Sequence, residues 1–229
     1  MSEPVSGERI VVVDVLRAFA LSGIIVTHAA TGFLAGPAPD PDYMIFSTMD
    51  RAVSQLETLF CFGKFYTVFS FLFGLSFAIQ LENATRKGTV FAGRFTWRLI
   101  VLLVIAFVHG LFFSGDVLVV YALLGLLLIP CRNLSNRTLL IVASILVLNI
   151  PMLLLMLPQV GAPPSEAAAA QMQEFMQAAQ RQFDLKQSGS LMDVMSLNAT
   201  FGIMSKLIFL IFSGRLWIKF GLFMLGLYA

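Results

Sequence analysis

The stretch TWRLIVLLVIAFVHGLFF, residues 96–113, decides the class of this chain. Between Arg98 and His109 it carries no charged side chain, and its length approaches the roughly 20 apolar residues that cross the hydrocarbon of a bilayer. Working outward, the same pattern returns at Ile10–Leu34, Glu57–Leu81, Val117–Cys131, Thr138–Leu157 and Ala199–Ser213. A further apolar stretch runs from Trp217 into the C-terminus at Ala229. Hydrophobic residues fill 58% of the 229 positions and charged ones only 12%, against roughly 45–50% and about 25% in soluble domains. No run alternates with period two, so helices are expected rather than a barrel. The expectation is an all-α integral membrane protein, a polytopic transmembrane helix bundle. It has about six spans plus a truncated seventh, in a single transmembrane domain over residues 1–229. The seventh stretch stops in mid-span, which reads as the N-terminal part of a longer domain.

Charge supplies orientation, because short loops rich in Lys and Arg stay in the cytoplasm. Arg86, Lys87, Arg94 and Arg98 follow the second span, Arg132 and Arg137 the fourth, and Arg215 and Lys219 the sixth. Alternate loops are poorer in positive charge: Asp40, Asp42, Asp50 and Arg51 after the first span, Gly115 and Asp116 after the third. The N-terminus is therefore expected inside, in a bacterial inner membrane. Ala35–Ala38 imitates a signal cleavage region, but Ile10–Leu34 is longer than a signal core and is interrupted by Asp14 and Arg17, so a retained helix is expected. The net charge of +2 carries no nucleic-acid footprint. Cys61 and Cys131 lack metal-ligand spacing and fall near opposite faces, which argues against a disulfide.

Residues 158–198 form the only sizeable polar region. Pro163, Pro164, Ser165 and Glu166 look like a helix start with Ser165 as cap. Met172, Phe175, Met176, Ala179 and Phe183 then recur at helical spacing, which predicts an amphipathic helix on the outer face. It reads either as a lid over a site or as a plain surface connector.

Ionisable groups inside spans cost about 2.5–3.5 kcal/mol each on insertion scales, so each needs a reason. Asp14 and Arg17 share a face of the first helix, as a structural pair or as a site. His28, Lys64, His109 and Asp116 fall at about one level near the outer ends of three successive helices. Imidazole beside carboxylate suits a general base near neutral pH, and a nearby ammonium suits a developing oxyanion. Against these stand blander readings: an interfacial histidine for His28 and snorkelling for Lys64. His109 and Asp116 are held close by the turn at Ser114 and Gly115. Phe69, Phe71, Phe73 and Phe77 with Gly74 read as a lipid-facing and helix-contact surface, and Gly221 and Gly226 as further close-packing positions. No Walker loop, dinucleotide fingerprint, HExxH or CxxC occurs, and no metal site is expected.

Three stretches together resemble the YeiB family of bacterial inner-membrane proteins. Arg9-Ile10-Val11-Val12-Val13-Asp14-Val15-Leu16-Arg17-Ala18 is similar to its opening R-I-x-x-L-D-x-L-R-G. Gly63-Lys64-Phe65, running on to Phe69-Ser70-Phe71-Leu72-Phe73-Gly74, is similar to its second motif. His109-Gly110-Leu111, then Gly115-Asp116-Val117-Leu118 and Tyr121-Ala122-Leu123, is similar to its third. Ala18 stands where the family usually has glycine and His28 where asparagine is common, and the family continues through further spans. The family is described as transport-associated and is similar to a wider superfamily of transmembrane acyltransferases. That superfamily includes the lysosomal heparan glucosaminide N-acetyltransferase. The catalytic histidine of that enzyme lies in its first outer loop and has no counterpart between Thr31 and Glu57 here; His28 falls near a functional asparagine instead.

The resemblance implies passage of an acyl group from cytoplasmic acyl-CoA, held near Arg17, Arg94 and Arg98, to an acceptor outside near His28 and His109. Acetyl-CoA or another acyl-CoA is then a co-substrate, and the partners are the lipid bilayer and a small-molecule or glycan acceptor. A transporter or transport accessory is the alternative, and a non-catalytic membrane scaffold a third.

Overall fold

The computed structural model describes residues 11–30, 47–159 and 166–229, and everything in them is helix or short connection. The helices are α1 (Val11–Ala30), α2 (Thr48–Phe60), α3 (Phe65–Arg86), α4 (Phe91–Phe112), α5 (Leu118–Cys131), α6 (Asn136–Val147) and α7 (Ile150–Met156). They continue with α8 (Glu166–Ser188), α9 (Leu191–Leu197), a π-helical turn at Asn198–Gly202, α10 (Ile203–Phe212) and α11 (Arg215–Tyr228). The expected cap at Ser165, the region Ala35–Ala38 and the loop carrying Asp40 and Asp42 lie outside the described residues.

Among the described residues, three stretches are long and apolar enough to cross a membrane: Val11–Ala30, Thr48–Arg86 and Phe91–Phe112. Two bent pairs qualify only if each is taken as one span, α6 with α7 at 44° and α9 with α10 at 47°, which makes up to five. The expected six spans plus a seventh are thus met in part. Large apolar side chains face outward along these helices, among them Phe19 at 62% exposure, Trp97 at 65% and Val104 at 61%. Water-soluble monomers rarely expose contiguous apolar patches above a few hundred Å². Several apolar helices with such surfaces are compatible with a membrane protein.

The breaks have local causes. The expected span Glu57–Leu81 divides at Cys61–Lys64, where Gly63 takes a left-handed φ of 76°. Thr138–Leu157 bends at Asn149, itself left-handed at φ 56°, because Pro151 follows and cannot donate to the preceding turn.

The core gathers around α11, not between the longer helices. Phe77, Tyr121, Leu128, Phe223 and Met224 are all buried there. At Gly74 and Gly226 the α3 and α11 backbones almost touch: a Cβ on Gly74 would lie 2.0 Å from the Phe223 carbonyl oxygen. Gly221 admits α6 on the other side, with Leu146 and Val147 2.8–2.9 Å from where its Cβ would be. Without a hydrophobic drive between helices in lipid, such small-residue approach is the main source of packing. The Phe69–Phe77 face is correspondingly a core surface rather than a lipid-facing one: Phe73 stacks on Phe223 at 4.5 Å, and Phe77 is fully buried.

The path of Ala199–Ser213 differs from the expected crossing. Asn198 donates to the Leu111 carbonyl at 2.9 Å, at the end of α4. Arg215 lies over the rings of Phe62 and Tyr66, at the start of α3. α3 and α4 run antiparallel, with Phe77 against Phe91 and Phe95, so both places belong to one end of the bundle. The stretch therefore spreads across that end, and α11 runs parallel to α3. Arg215 and Lys219 fall at the His109 end, opposite Arg86, Lys87 and Arg98, and do not share the orientation that their charge suggested. Cys61 and Cys131 are both free, at the start of α3 and the end of α5.

Candidate functional site

At the end of α4 the chain turns through Phe113–Val117 into α5. The Phe113 N–H still donates to the His109 carbonyl (3.0 Å), and the Asp116 N–H closes the turn on Phe113 (3.2 Å). The Asp116 carboxylate faces inward, 4% exposed, and its Oδ1 accepts the Leu118 N–H at 3.0 Å. The same oxygen stands 3.3 Å from His109 Nδ1. Oδ2 is buried with no hydrogen-bond partner among the described residues. The His109 side chain is half exposed (51%). With Nδ1 protonated toward the carboxylate, Nε2 presents a lone pair to an incoming group, the arrangement a general base requires.

His28 joins from α1. Its ring meets Phe113 edge-on at 5.0 Å, and His109 meets the same phenyl at 6.0 Å, so Phe113 stands between the two imidazoles. Lys64 does not join: it is exposed, and its ammonium donates back to the Thr58 carbonyl at 3.4 Å. Two lysines missed in the sequence come nearer. Lys206 on α10 lies within electrostatic range of Asp116. Lys186, at the end of α8, donates to the Ser114 hydroxyl at 2.9 Å, and burial pushes its ammonium below the usual lysine range. That contact ties the amphipathic helix to the turn holding Asp116, although Met172, Phe175 and Met176 of its expected apolar stripe stay exposed.

At the opposite end a polar chain crosses three helices. Arg17 pairs with Asp14 (3.0 Å) and donates to the Ser76 hydroxyl. Gln80 donates to the Ser76 carbonyl (3.1 Å) and accepts from Arg98. Arg94 and Arg98 line a pocket of about 210 Å³ with Gln80, Asn83 and Lys87. That is below the roughly 300–1,000 Å³ of sites that enclose a drug-sized ligand, and suits a phosphate group rather than a whole nucleotide. Arg17 is not among its walls and connects to it only through Ser76 and Gln80.

Further residues had a legible signal. Lys206 is a lone charge inside an apolar run, the pattern that marks function in a membrane. Lys219, 3% exposed, and Tyr121, fully buried with its hydroxyl 2.7 Å from Ser70, had weaker ones. No group of three or more His, Cys, Asp or Glu is placed to hold a metal among the described residues.

Two curated proteins of Bacillus species are similar to this chain. An uncharacterized 39.9 kDa protein in the amylase 3' region of Bacillus acidopullulyticus is 36% identical over 141 residues, 62% of this chain and 39% of that protein. The uncharacterized protein YxaH of Bacillus subtilis (strain 168) is 33% identical over 202 residues, 82% of this chain and 48% of its own length. The chain thus spans less than half the length of either relative. No family model and no solved structure matches it.

Proposed function

We propose that this chain is the membrane part of an acyl-transfer protein related to the YeiB family, and that His109 is its general base. The observation that carries the reading is the His109–Asp116 pair, a half-exposed imidazole oriented at 3.3 Å by a buried carboxylate. His109 Nε2 takes the proton of an acceptor hydroxyl or amine as that atom attacks the thioester carbon of an acyl-CoA. The imidazolium, steadied by Asp116, returns the proton to the leaving thiolate. Arg94, Arg98 and Lys87 suit the phosphates of the donor at the other end of the bundle. In this reading the N-terminus faces the cytoplasm of a bacterial cell and the membrane is its inner, or plasma, membrane. Arg86, Lys87, Arg94, Arg98, Arg132 and Arg137 support that orientation, while Arg215 and Lys219 count against it.

The test is incubation of membranes containing the protein with radiolabelled acetyl-CoA, comparing the parent with His109→Ala and Asp116→Asn. Label transfer to a membrane acceptor is expected to fall about 10²–10⁴-fold in His109→Ala. Transfer indifferent to that substitution would remove His109 from the chemistry. The alternative, a transport-associated protein, draws support from the bent pair α6–α7, since interrupted spans line the sites of many transporters. Vesicle uptake without acyl transfer would favour it.

A further inference from the structure

Three cations converge at the His109 end of α11, where the sequence suggested only loop charges. Lys219, in the second turn of α11, is 3% exposed. Its Nζ stands 5.3 Å from the Tyr66 ring centroid and 5.9 Å from that of Tyr121. Arg215, one turn earlier, lies over Phe62 at 5.3 Å, Tyr66 at 6.0 Å and Phe209 at 5.2 Å. Arg215 and Lys206 both lie near enough to Lys219 to repel it. None of the three makes a hydrogen bond or an ion pair with any described residue. Asp116 is the counter-charge whose field reaches Lys206, which leaves two positive charges in excess.

Aromatic faces attract cations, yet they carry no charge to neutralise them. An ammonium on a side chain only 3% exposed, lacking an acceptor and crowded by two more cations, is costly unless something anionic completes the set. We propose that Lys206, Arg215 and Lys219 form a phosphate-binding site where α10 meets α11. The excess of two charges matches a phosphate group, either the headgroup of a lipid or a free phosphate ion, and Arg215 and the two lysines supply donors only. Tyr66 and Tyr121 wall the site and hold Lys219 in place. The site goes beyond the acyl-transfer reading, since it needs neither acyl-CoA nor His109.

The chain has two tryptophans, so Trp97→Phe leaves Trp217, two residues from both Arg215 and Lys219, as the sole reporter. In phosphatidylcholine nanodiscs, inorganic phosphate is titrated against Trp217 emission. In a second series phosphatidylglycerol replaces part of the lipid and phosphate is left out. A saturable change in the first series identifies a free phosphate as ligand, and one in the second identifies a headgroup. In either, Lys219→Met and Arg215→Gln weaken binding at least about tenfold, whereas Arg137→Gln at the opposite end does not. No saturable change in either series, or equal binding by the substituted and parent proteins, would overturn the site. Should Lys219→Met fail to fold, Arg215→Gln and Lys206→Gln, at half-buried positions, carry the same test.

Discussion

Substituting Gly74 by alanine tests the packing of α3 against α11. The added Cβ would lie 2.0 Å from the Phe223 carbonyl oxygen and 2.8 Å from its carbon, both backbone atoms that no rotamer change can move. Ordinary van der Waals contact begins near 3.4 Å, so the helices must separate by about 1.4 Å. α11 has no room to retreat, because Leu146 and Val147 of α6 already press on Gly221 from the other side. Overpacking usually costs about 1–3 kcal/mol when side chains can adjust; with backbone on both sides the upper end, about 3 kcal/mol, is expected. Gly226→Ala, whose Cβ would meet the Phe71 carbonyl oxygen at 2.2 Å, should behave alike. Gly93 and Gly110 in α4 have nothing within 4 Å, and alanine there should be neutral or should stabilise by about 0.5–1 kcal/mol through helix propensity. Reversible unfolding of the purified protein in mixed micelles, titrated with dodecyl sulfate and followed by circular dichroism, gives the differences. If Gly74→Ala falls within about 1 kcal/mol of Gly93→Ala, the backbone contact is not what holds the bundle together.

Tyr121→Phe removes a hydroxyl that meets Ser70 at 2.7 Å and donates to the Tyr66 carbonyl at 3.2 Å. A loss of about 1–2 kcal/mol is expected in the same unfolding assay, with little added by Ser70→Ala in the double variant; fully additive losses would contradict a shared network. Lys186 gives a pH dependence. Its ammonium is depressed by burial, so undocked α8 binds the proton more tightly and protonation opposes docking. Docking should therefore strengthen as pH rises from below the depressed value toward the ordinary lysine value of 10.5, where the penalty vanishes. A spin label at Gln173 should become less mobile between neutral and alkaline pH, and the step should disappear in Lys186→Met; a step that survives the substitution would dissociate it from Lys186.

Helix by helix, composition and length were good guides and direction was not. The C-terminal end of α4 and both ends of α5 agree closely with Thr96–Phe113 and Val117–Cys131, because apolar runs bounded by turns leave little freedom, whereas α4 begins five residues before Thr96, at Phe91. The bend at Asn149 was also readable, since Pro151 cannot continue a helix. Ala199–Ser213 is as apolar as a crossing segment, but whether such a helix crosses or lies across one end depends on contacts far away in sequence, here Leu111, Phe62 and Tyr66. That single difference moved Arg215 and Lys219 to the other end and gathered apparent loop charges into a cluster around a buried lysine. His109 and Asp116 were legible because one short turn holds both. Lys64 was not, because level along a helix says nothing about azimuth, and its side chain turns back toward α2.

The glycine seam also bears on how the molecule is made. α11 follows in the chain every helix it packs against, yet it supplies the surface on which α3 and α6 meet. During synthesis the glycine face of α3 must therefore wait for its partner through about 130 residues of translation (Arg86 to Arg215), and the Leu146–Val147 face of α6 through about 70 (Val147 to Arg215). Assembly cannot proceed simply hairpin by hairpin. The translocation machinery or a chaperone has to shelter those faces until α11 arrives and closes the bundle in one late step.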